Sequence, residues 1–579
     1  KADRTTTVPD ALTTGTPNPK GLDAVEHVVI LMQENRSFDQ YFGTMTGVRG
    51  FADPVPVRRS LGATVLAQPW ESKVLWPYHA DPATTLAGTP GTSLPHTWPD
   101  AHDAWNGGRW DGWTKAKTPF TMGHFTGADL AFHHALAGAF TICDRNFCST
   151  LAGTNPNRLH LWTGTTDADA KAGGPALFND RQGVLAWTTY PERLQQAGVS
   201  WQVYQEEDDY GDNPLEWFPQ FMNAPETSPL WARGVQFQDS VLGWFEADVA
   251  AGKLPQVSWI VAPTDDSEHP GPSSPWQGGE FSRKALQVLA DHPDVWAKTI
   301  FILNYDENDG FFDHVPPPFP PQGTPGEVVD GRVVGLGPRV PLIVASPWST
   351  GGWVCSETFD HTSVIRLLET WLGVEEPNIS AWRREVCGDL TSAFDFSTTN
   401  VAFPKLPSEA EQAAAVATRI SEGLPAAEPP ADGGALPEVE TGSRPQRALP
   451  YRPAASGKRI TDGYEITLAN PKADRSVTFE VYALTADGST STSYVVAPDA
   501  EVAAPLTFDT AAALDVHGPN GFLRTFEGLG SQALAVAIVL GSYAWVRRQV
   551  PKGPSGEAST AGCEDIGGIY HADIDTFFV

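Results

Sequence analysis

Between residues 25 and 372, short apolar segments rich in β-branched residues alternate with stretches of helical periodicity. Strands and helices that alternate in this way form a layered α/β domain with a mostly parallel sheet. The candidate strands are 28–32, 201–204, 257–261, 299–304 and 340–345. Several of them run directly into polar clusters, and functional groups in such sheets gather at the carboxyl ends of strands.

The rest of the chain differs in composition. Residues 1–400 hold the α/β domain, and residues 401–447 are rich in Ala, Pro, Glu and Gly, which indicates a linker or covering segment. Residues 448–527 contain alternating patterns such as 477–482 and predict a small antiparallel β-domain. For the tail, residues 528–579, two readings stay open: further strands, or an incomplete second β-module.

The net charge narrows the classes of partner. Asp and Glu total 70 against 39 Lys and Arg, which leaves a formal charge of −31. A chain so acidic repels bare nucleic acid, so we expect no nucleic-acid partner. A zwitterionic group at a membrane surface needs only a local site of matched charge and stays compatible. Because no run of about 18 apolar residues occurs, we expect no transmembrane helix.

The spacing of the cysteines indicates the redox compartment in which the protein works. They fall as Cys143 with Cys148 and Cys355 with Cys387, and Cys563 stands alone. We predict two local disulfides, with ordinary buried thiols as the alternative. Disulfides, together with a Trp- and Pro-rich, Lys-poor composition, indicate an exported protein. The first residues have no signal-peptide core, so we expect a secreted protein in its mature form.

Two apolar strands lead into acidic and amide side chains. Residues 27–33 run into Glu34 and Asn35, and the strand that begins near 299 runs into Asp306 and Glu307. If these strands end side by side, several carboxylates meet and require a cation. The alternative for each cluster is a solvated turn or a helix cap.

The segment 151–159 offers a nucleophile. Pro156 suits the first turn of a helix and Asn155 suits its cap, which places Thr154 just ahead of a helix N-terminus. Phosphate oxygens bind well there, and a hydroxyl bound to a cation loses its proton more readily. Taken alone, Gly153-Thr154 is equally a plain helix start.

Histidines in loops or at helix starts can supply protons. Cleavage of a phosphodiester releases an alkoxide that needs a proton, and His changes charge in the working pH range. His96, His269 and His361 are the candidates, and a structural role is the alternative for each. The chain contains no G-x-S-x-G elbow, no G-x-x-x-x-G-K-[ST] phosphate loop and no H-E-x-x-H zinc motif.

Four motifs together resemble a known family. Residues 33–39, 153–158, 267–271 and 305–314 are similar, in order, to the motifs of the bacterial phosphocholine-type phospholipase C and acid phosphatase family, which belongs to the alkaline phosphatase superfamily. The resemblance spans about residues 24–396. It implies an alkaline-phosphatase-like α/β sandwich, in which residues 1–400 form the phosphoesterase catalytic domain.

The resemblance also implies a set of site residues. It implies one divalent metal ion held by Glu34, Asn35, Thr154, Asp306 and Glu307, with Thr154 as the nucleophile. It implies that His96 and His269 hold the phosphoryl oxygens or protonate the leaving group. Asp360 and His361 resemble an Asp-His pair that holds a metal elsewhere in the superfamily. Oxygen ligands suit Ca²⁺ or Mg²⁺, whereas superfamily precedent and nearby histidines allow Zn²⁺.

The activity that the resemblance implies is phospholipase C. The substrate would be phosphatidylcholine or phosphatidylethanolamine at a membrane surface, cleaved by a monomer through a phosphothreonine intermediate. The segment 517–524 resembles the end of the β-module that accompanies the phospholipase branch. A broad acid phosphatase is the alternative enzyme, and a non-catalytic cell-surface lipid-binding protein is the alternative of another class. Residues 105–113 or 204–210 could cage a quaternary ammonium, or pack rigidly instead.

Overall fold

A seven-stranded sheet forms the centre of the protein in a computed structural model, which describes residues 12–13, 15–180, 184–460, 463–506, 513–527 and 535–537. Its strands are β1 (His27–Gln33), β2 (Thr141–Cys143), β3 (Trp201–Tyr204), β4 (Val257–Ile260), β5 (Thr299–Tyr305), β6 (Leu342–Ala345) and β7 (Val354–Cys355). Their order across the sheet is β3-β4-β1-β5-β6-β2-β7. The five predicted strands all appear, each within a few residues of its predicted ends.

The sheet is mostly parallel, as predicted. Strands β3, β4, β1 and β5 run parallel, and β6 pairs antiparallel with both β5 and β2. In the pairing of β1 with β5, Gln33 lies opposite Tyr305, and these two residues are the last of their strands. The residues that follow these two strands therefore emerge side by side at one edge of the sheet.

Helices cover both faces of the sheet. Alternate side chains of β1 enter different core clusters: Val29 and Leu31 lie in one, and Val28 and Ile30 lie in the other. Burial on both faces explains why the strands read as continuous apolar runs in the sequence. The helices of the described residues are α1 (Phe38–Phe42), α2 (Trp98–Trp105), α3 (Trp113–Lys117), α4 (Ala131–Ala139), α5 (Thr154–Thr163), α6 (Tyr190–Ala197), α7 (Pro219–Met222), α8 (Pro229–Gly234), α9 (Val241–Ala250), α10 (Pro275–Ala290), α11 (Pro293–Trp296), α12 (Thr362–Leu372), α13 (Ala381–Val386) and α14 (Ala410–Ser421).

Helix α5 begins two residues earlier than expected. Thr154 is its first residue and Gly153 is its N-cap, so the prediction that Asn155 caps the helix is wrong. Pro156 lies in the first turn, where its missing N–H costs nothing. The helix ends at Gly164, whose φ of 74° is the left-handed conformation that glycine adopts without strain.

Two antiparallel sheets follow the α/β part, in agreement with the predicted fold class. One sheet has the order β8-β9-β12 and the other β11-β10-β13-β14-β15. The strands are β8 (Ala454–Ile460), β9 (Gly463–Ala469), β10 (Val477–Leu484), β11 (Ser489–Val496), β12 (Glu501–Leu506), β13 (Ala513–His517), β14 (Leu523–Glu527) and β15 (Ala535–Ala537). Of the tail 528–579, predicted to form either further strands or an incomplete second β-module, the structure describes only β15. The rest of the tail lies outside the described residues. In the described part of the chain, no helix combines the length and apolarity needed to cross a bilayer.

The predicted disulfides are wrong. Cys143, Cys148, Cys355 and Cys387 are free, buried thiols. The side chains of each predicted pair enter different core clusters, because the fold directs them to different parts of the interior. Cys143 lies opposite Cys355 instead, as a register pair between β2 and β7. The alternative, ordinary buried thiols, describes these four residues; Cys563 lies outside the described residues.

Candidate active site

The acidic and amide side chains that follow β1 and β5 meet at the edge of the sheet. The backbone N–H of Asn35 donates to Oδ1 of Asp306 at 3.1 Å, and its side-chain amide donates to Oδ1 of Asp309 at 3.4 Å. Asn35 has a φ of 57°, a left-handed conformation that Asn tolerates better than most residues. The backbone N–H of Glu34 donates to the carbonyl of Ser267, which ties in the loop after β4.

Several oxygens in this cluster accept no hydrogen bond. Oε1 of Glu34, Oδ1 of Asn35 and Oε1 of Glu307 are buried, and none of them has a hydrogen-bond partner within the described structure. Burial, together with neighbouring carboxylates, holds the pKa of Glu34 and of Glu307 well above the usual range, and burial raises that of Asp306 to about 6. Unsatisfied buried oxygens are costly unless a cation binds them. The cluster therefore fits a divalent cation, and its donors are oxygens.

The hydroxyl of Thr154 points into this cluster. Thr154 is only 5% exposed, and its Oγ1 donates to Oε2 of Glu34 at 3.4 Å. As the first residue of α5, it lies at the helix end where the helix dipole attracts anions. Asn179 covers the helix start, since its Oδ1 accepts from the N–H of Asn155 at 3.0 Å. A hydroxyl, an anion-binding helix end and an acidic cluster thus meet at one point.

Arg158 and Asp212 belong to the same cluster. Arg158, one turn after Thr154, lies 3.0 Å from Asp212, 3.2 Å from Asp306 and 3.9 Å from Glu34. Its guanidinium is buried, and the three carboxylates raise its pKa against the effect of burial. This permanent positive charge offsets part of the carboxylate charge, so Arg158 holds the cluster together when no cation is bound.

His96 and His269 lie next to each other at the edge of the acidic cluster, with ring centroids 5.8 Å apart. Nδ1 of His269 accepts from the N–H of Gly271 at 2.8 Å, so a neutral ring carries its proton on Nε2, which lies 4.0 Å from Glu34. Burial and the neighbouring His96 lower the pKa of His269 to about 3, which keeps the ring neutral. Its Nε2 therefore presents a hydrogen-bond donor to the site.

His96 presents the opposite nitrogen chemistry. Its Nδ1 lies 2.7 Å from the carbonyl of Leu94, to which it donates, and 3.4 Å from Oδ1 of Asp309. This arrangement assigns the lone pair of a neutral ring to Nε2, which lies 4.0 Å from Oε1 of Glu307. Together, His96, His269 and Asp309 could also ligate a metal. The donated N–H of Gly271 argues against His269 as a ligand.

Asp360 and His361 lie next to the acidic cluster, and His361 contacts the backbone of Asp306. Nε2 of His361 lies 2.7 Å from the backbone carbonyl of Asp306, and its other nitrogen lies 3.3 Å from the Asn304 amide. Asp360 bonds to Ser149 and pairs with the buried Arg383 at 2.6 Å. In the structure these two residues contact the backbone of Asp306 and the side chains of Ser149, Asn304 and Arg383, and a metal or phosphate contact for them stays a prediction.

Glu268, next to His269, is buried at the centre of a polar network. Its carboxylate accepts from Tyr41 at 2.6 Å and Tyr305 at 2.9 Å, and it lies 3.2 Å from Nε2 of His133. Its φ of 69° is left-handed, which is rare for a glutamate. Such strain persists only where the surroundings over-determine it, and this backbone turn aims His269 at the site.

The two aromatic segments predicted as a possible cage, 105–113 and 204–210, differ in exposure. Trp110 and Trp113 are fully buried and pack edge to face at 5.2 Å, so the rigid-packing alternative describes them. Tyr210 is 45% exposed, and its ring lies 5.2 Å from that of His269. It therefore lies at the protein surface beside His269.

Sequence reasoning did not assign three of the charged residues at the site. Arg158 and Asp309 lie inside the motifs that carried the resemblance, so a signal for them was present. Asp212 follows the acidic run 206–209 in a loop, where nothing in the sequence distinguishes it from a solvated carboxylate.

Comparisons with known proteins match both parts of the chain. Residues 25–375 match the phosphoesterase family, and residues 445–529 match the bacterial phospholipase C C-terminal domain. The non-hemolytic phospholipase C of Pseudomonas aeruginosa is 48% identical, over 88% of this chain and 77% of the relative.

Two further relatives also bear the name phospholipase C. The hemolytic phospholipase C of the same bacterium is 40% identical, over 87% of this chain and 78% of the relative. Phospholipase C B of Mycobacterium tuberculosis is 41% identical, over 67% of this chain and 82% of the relative. The chain therefore belongs to the phosphoesterase family and carries the C-terminal domain of the bacterial phospholipases C.

Proposed function

We propose that this protein is a phospholipase C that cleaves phosphatidylcholine or phosphatidylethanolamine to diacylglycerol and a phosphorylated headgroup. One observation carries the proposal: the Thr154 hydroxyl, at the start of a helix, lies 3.4 Å from Oε2 of Glu34, in a cluster that contains buried oxygens with no hydrogen bond. Relatives that are 40–48% identical bear the name phospholipase C, which supports the same reaction class.

The cluster would hold one divalent cation. Its ligands would be Glu34, Asn35, Thr154, Asp306 and Glu307. Three of these, Glu34, Asn35 and Glu307, carry buried oxygens that accept no hydrogen bond, which fit a hard cation. A bound cation would lower the pKa of the Thr154 hydroxyl and offset the charge that develops on the phosphoryl oxygens. Ca²⁺, Mg²⁺ and Zn²⁺ all accept such ligands, so metal analysis of the purified protein is needed to identify the ion.

In the first step, Oγ1 of Thr154 attacks phosphorus in line with the bond to the glycerol oxygen. Its proton passes to Oε2 of Glu34, the oxygen to which the hydroxyl already donates, and Oε1 remains available to a cation. The Nε2–H of the neutral His269 donates to a phosphoryl oxygen. His96, protonated on Nε2, gives its proton to the departing glycerol oxygen, and Asp309 stabilises the imidazolium beforehand. Diacylglycerol leaves, and the headgroup phosphate remains esterified to Thr154 as the phosphothreonine intermediate.

In the second step, water attacks phosphorus from the side that diacylglycerol has left. His96, now neutral, takes a proton from that water, and the P–O bond to Thr154 breaks. Glu34 returns its proton to Oγ1 of Thr154. The phosphorylated headgroup leaves, and each residue regains its starting protonation. A single histidine serves both steps because the leaving alcohol and the attacking water occupy the same side of phosphorus.

We also propose that the enzyme is a secreted monomer that works at a phospholipid surface. The acidic chain does not favour binding to anionic surfaces, but a zwitterionic headgroup needs only a local site of matched charge. The Trp- and Pro-rich composition is that of an exported enzyme.

The test compares three substrates and two variants. The purified enzyme is assayed on phosphatidylcholine vesicles, phosphatidylethanolamine vesicles and p-nitrophenyl phosphate. Thr154→Val should lower kcat by about a thousandfold or more, and Thr370→Val, at an exposed position on α12, should leave it unchanged. A Thr154→Val enzyme with near-normal turnover would refute the nucleophile, and faster hydrolysis of p-nitrophenyl phosphate than of lipid would favour an acid phosphatase.

A further inference from the structure

We propose that the C-terminal β-module, strands β8–β15, is a scaffold for the active site. In this inference, which rests on the proposed function of His96, the module holds in place the segment 95–117. It does not serve as a separate lipid-binding domain. Contacts from two of its strands and the packing of a shared core support the proposal.

Polar contacts join the module to the catalytic part beside this segment. Arg58 makes two charge-assisted hydrogen bonds to Asp515 of β13, both at 2.6 Å. The side chain of Asp515 is only 1% exposed, and a paired, forked geometry of this kind is among the strongest polar contacts in proteins. Close by, the backbone N–H of Leu61 donates to the carbonyl of Thr485 at 3.0 Å.

The turn after α2 packs directly on β11. Gly108 has a φ of 92°, and a Cβ at this position would overlap Oγ of Ser491. The next residue, Arg109, lies within van der Waals distance of the space that a Cβ on Gly488 would occupy. Glycine is needed at 108 both for the left-handed backbone and for this close approach. The module therefore bounds the turn that joins α2 to α3.

A shared hydrophobic core extends from the module to the motif 305–314, which contains Asp306 and Glu307. Tyr482, Leu484 and Ala513 are buried in one cluster with Trp110, Trp113 and Phe312. The Trp113 ring packs edge to face on Phe312 at 5.4 Å, and Nε1 of Trp110 donates to the carbonyl of Asp313 at 2.6 Å. Module side chains thus pack against residues that end the motif 305–314.

His96 lies at the N-terminal end of the segment 95–117. Helix α2 starts two residues after His96, with Thr97 and Asp100 forming a capping box. From α3, Nζ of Lys117 donates to the carbonyl of Pro95 at 2.7 Å and pairs with Asp100. The turn at Gly108 and the loop at His96 therefore belong to one packed unit, so a shift of the turn displaces His96. Displacement of a catalytic group by about 1 Å can cost a hundredfold in rate.

Two roles for the module make different predictions. A scaffold affects the chemistry on every substrate, whereas a lipid-binding domain affects only substrates in a bilayer. The probes are a water-soluble short-chain phosphatidylcholine below its critical micelle concentration and vesicles of long-chain phosphatidylcholine. The perturbation is Ser491→Leu, which pushes on the turn at Gly108, and the matched control is Thr492→Leu, at an exposed neighbour on the same strand. Arg58→Lys, which keeps the charge and loses the forked pairing, is a second variant.

We expect Ser491→Leu to lower kcat on both substrates by the same factor, about tenfold or more, with KM little changed and Thr492→Leu at the wild-type rate. Hydrogen exchange of peptides from 95–117 should accelerate in Ser491→Leu and Arg58→Lys while exchange in β1 and β5 stays slow. This readout separates local release from global unfolding and does not depend on activity. Wild-type inactivity on both substrates would refute the proposed function alone. Loss on vesicles only, or unchanged exchange in 95–117 in both variants, would overturn the scaffold.

Discussion

His314 gives the protein a stability contribution that should disappear at alkaline pH. His314 is buried; its Nδ1 lies 2.6 Å from Asp39, and its Nε2 lies 3.3 Å from Asp53. Burial alone would lower its pKa, but the two carboxylates raise it to about 9. The pair joins the end of the motif 305–314 to α1, so it stabilises the folded site directly.

The magnitude follows from proton linkage. An unfolded histidine has a pKa of about 6.5, so the difference of about 2.5 units corresponds to roughly 3 kcal/mol of folding free energy. Because the folded pKa is the higher one, this contribution is fully present below about pH 6.5. It is lost as the pH rises through about 9. His314→Gln should therefore destabilise the protein most at mildly acidic pH.

The assay is urea unfolding of the wild type and of His314→Gln, followed by tryptophan fluorescence at pH 5.5, 7.5 and 10. The gap in unfolding free energy should shrink by roughly 3 kcal/mol between the first and last pH. His124 is a control of opposite sign, since burial lowers its pKa to about 3, and the gap for His124→Gln should grow from pH 5.5 to 7.5. A pH-independent gap for His314→Gln would refute the assigned charge pair.

Two more predictions concern the metal cluster and the turn before His269. Chelation should abolish activity and lower the melting temperature. When the cation is restored at 100 times its Kd, the free energy of unfolding should rise by about 2.7 kcal/mol. Glu307→Gln should lose most of this rise, whereas Glu411→Gln, at an exposed position, should keep it. An enzyme equally active and equally stable after chelation would contradict the cation site. Glu268→Gln should lower kcat by about ten- to a hundredfold with little change in KM, because His269 loses its aim. An equal rise in KM with unchanged kcat would instead assign Glu268 to substrate binding.

Local patterns predicted the elements that hold the site. Strands β1 and β5 are buried on both faces, so their sequences are continuous apolar runs that any reading of the chain detects. Each run ends in acidic or amide residues, and adjacent parallel strands necessarily end at the same edge of a sheet. Pro156 likewise marked the first turn of α5, because its backbone angle and missing N–H suit that position.

Other features depend on contacts between distant residues. The cysteine pairs were predicted from proximity along the chain, whereas a thiol's neighbour depends on strand register, which set Cys143 opposite Cys355. Asp212 has no motif of its own and enters the site only because its loop folds over α5. The proton positions on His96 and His269 follow from their hydrogen bonds to Leu94 and Gly271, which the sequence does not display.

The sequence by itself determined the layered α/β class, the order of the motifs and the residue types that a phosphoester site requires, because these depend on periodicity and on chemistry carried by single residues. The tertiary structure decided which of those residues touch, which nitrogen of each histidine faces the acidic cluster, and how the β-module packs on the segment that carries His96. Such contacts depend on register and on long-range packing, where residues hundreds of positions apart compete for the same space.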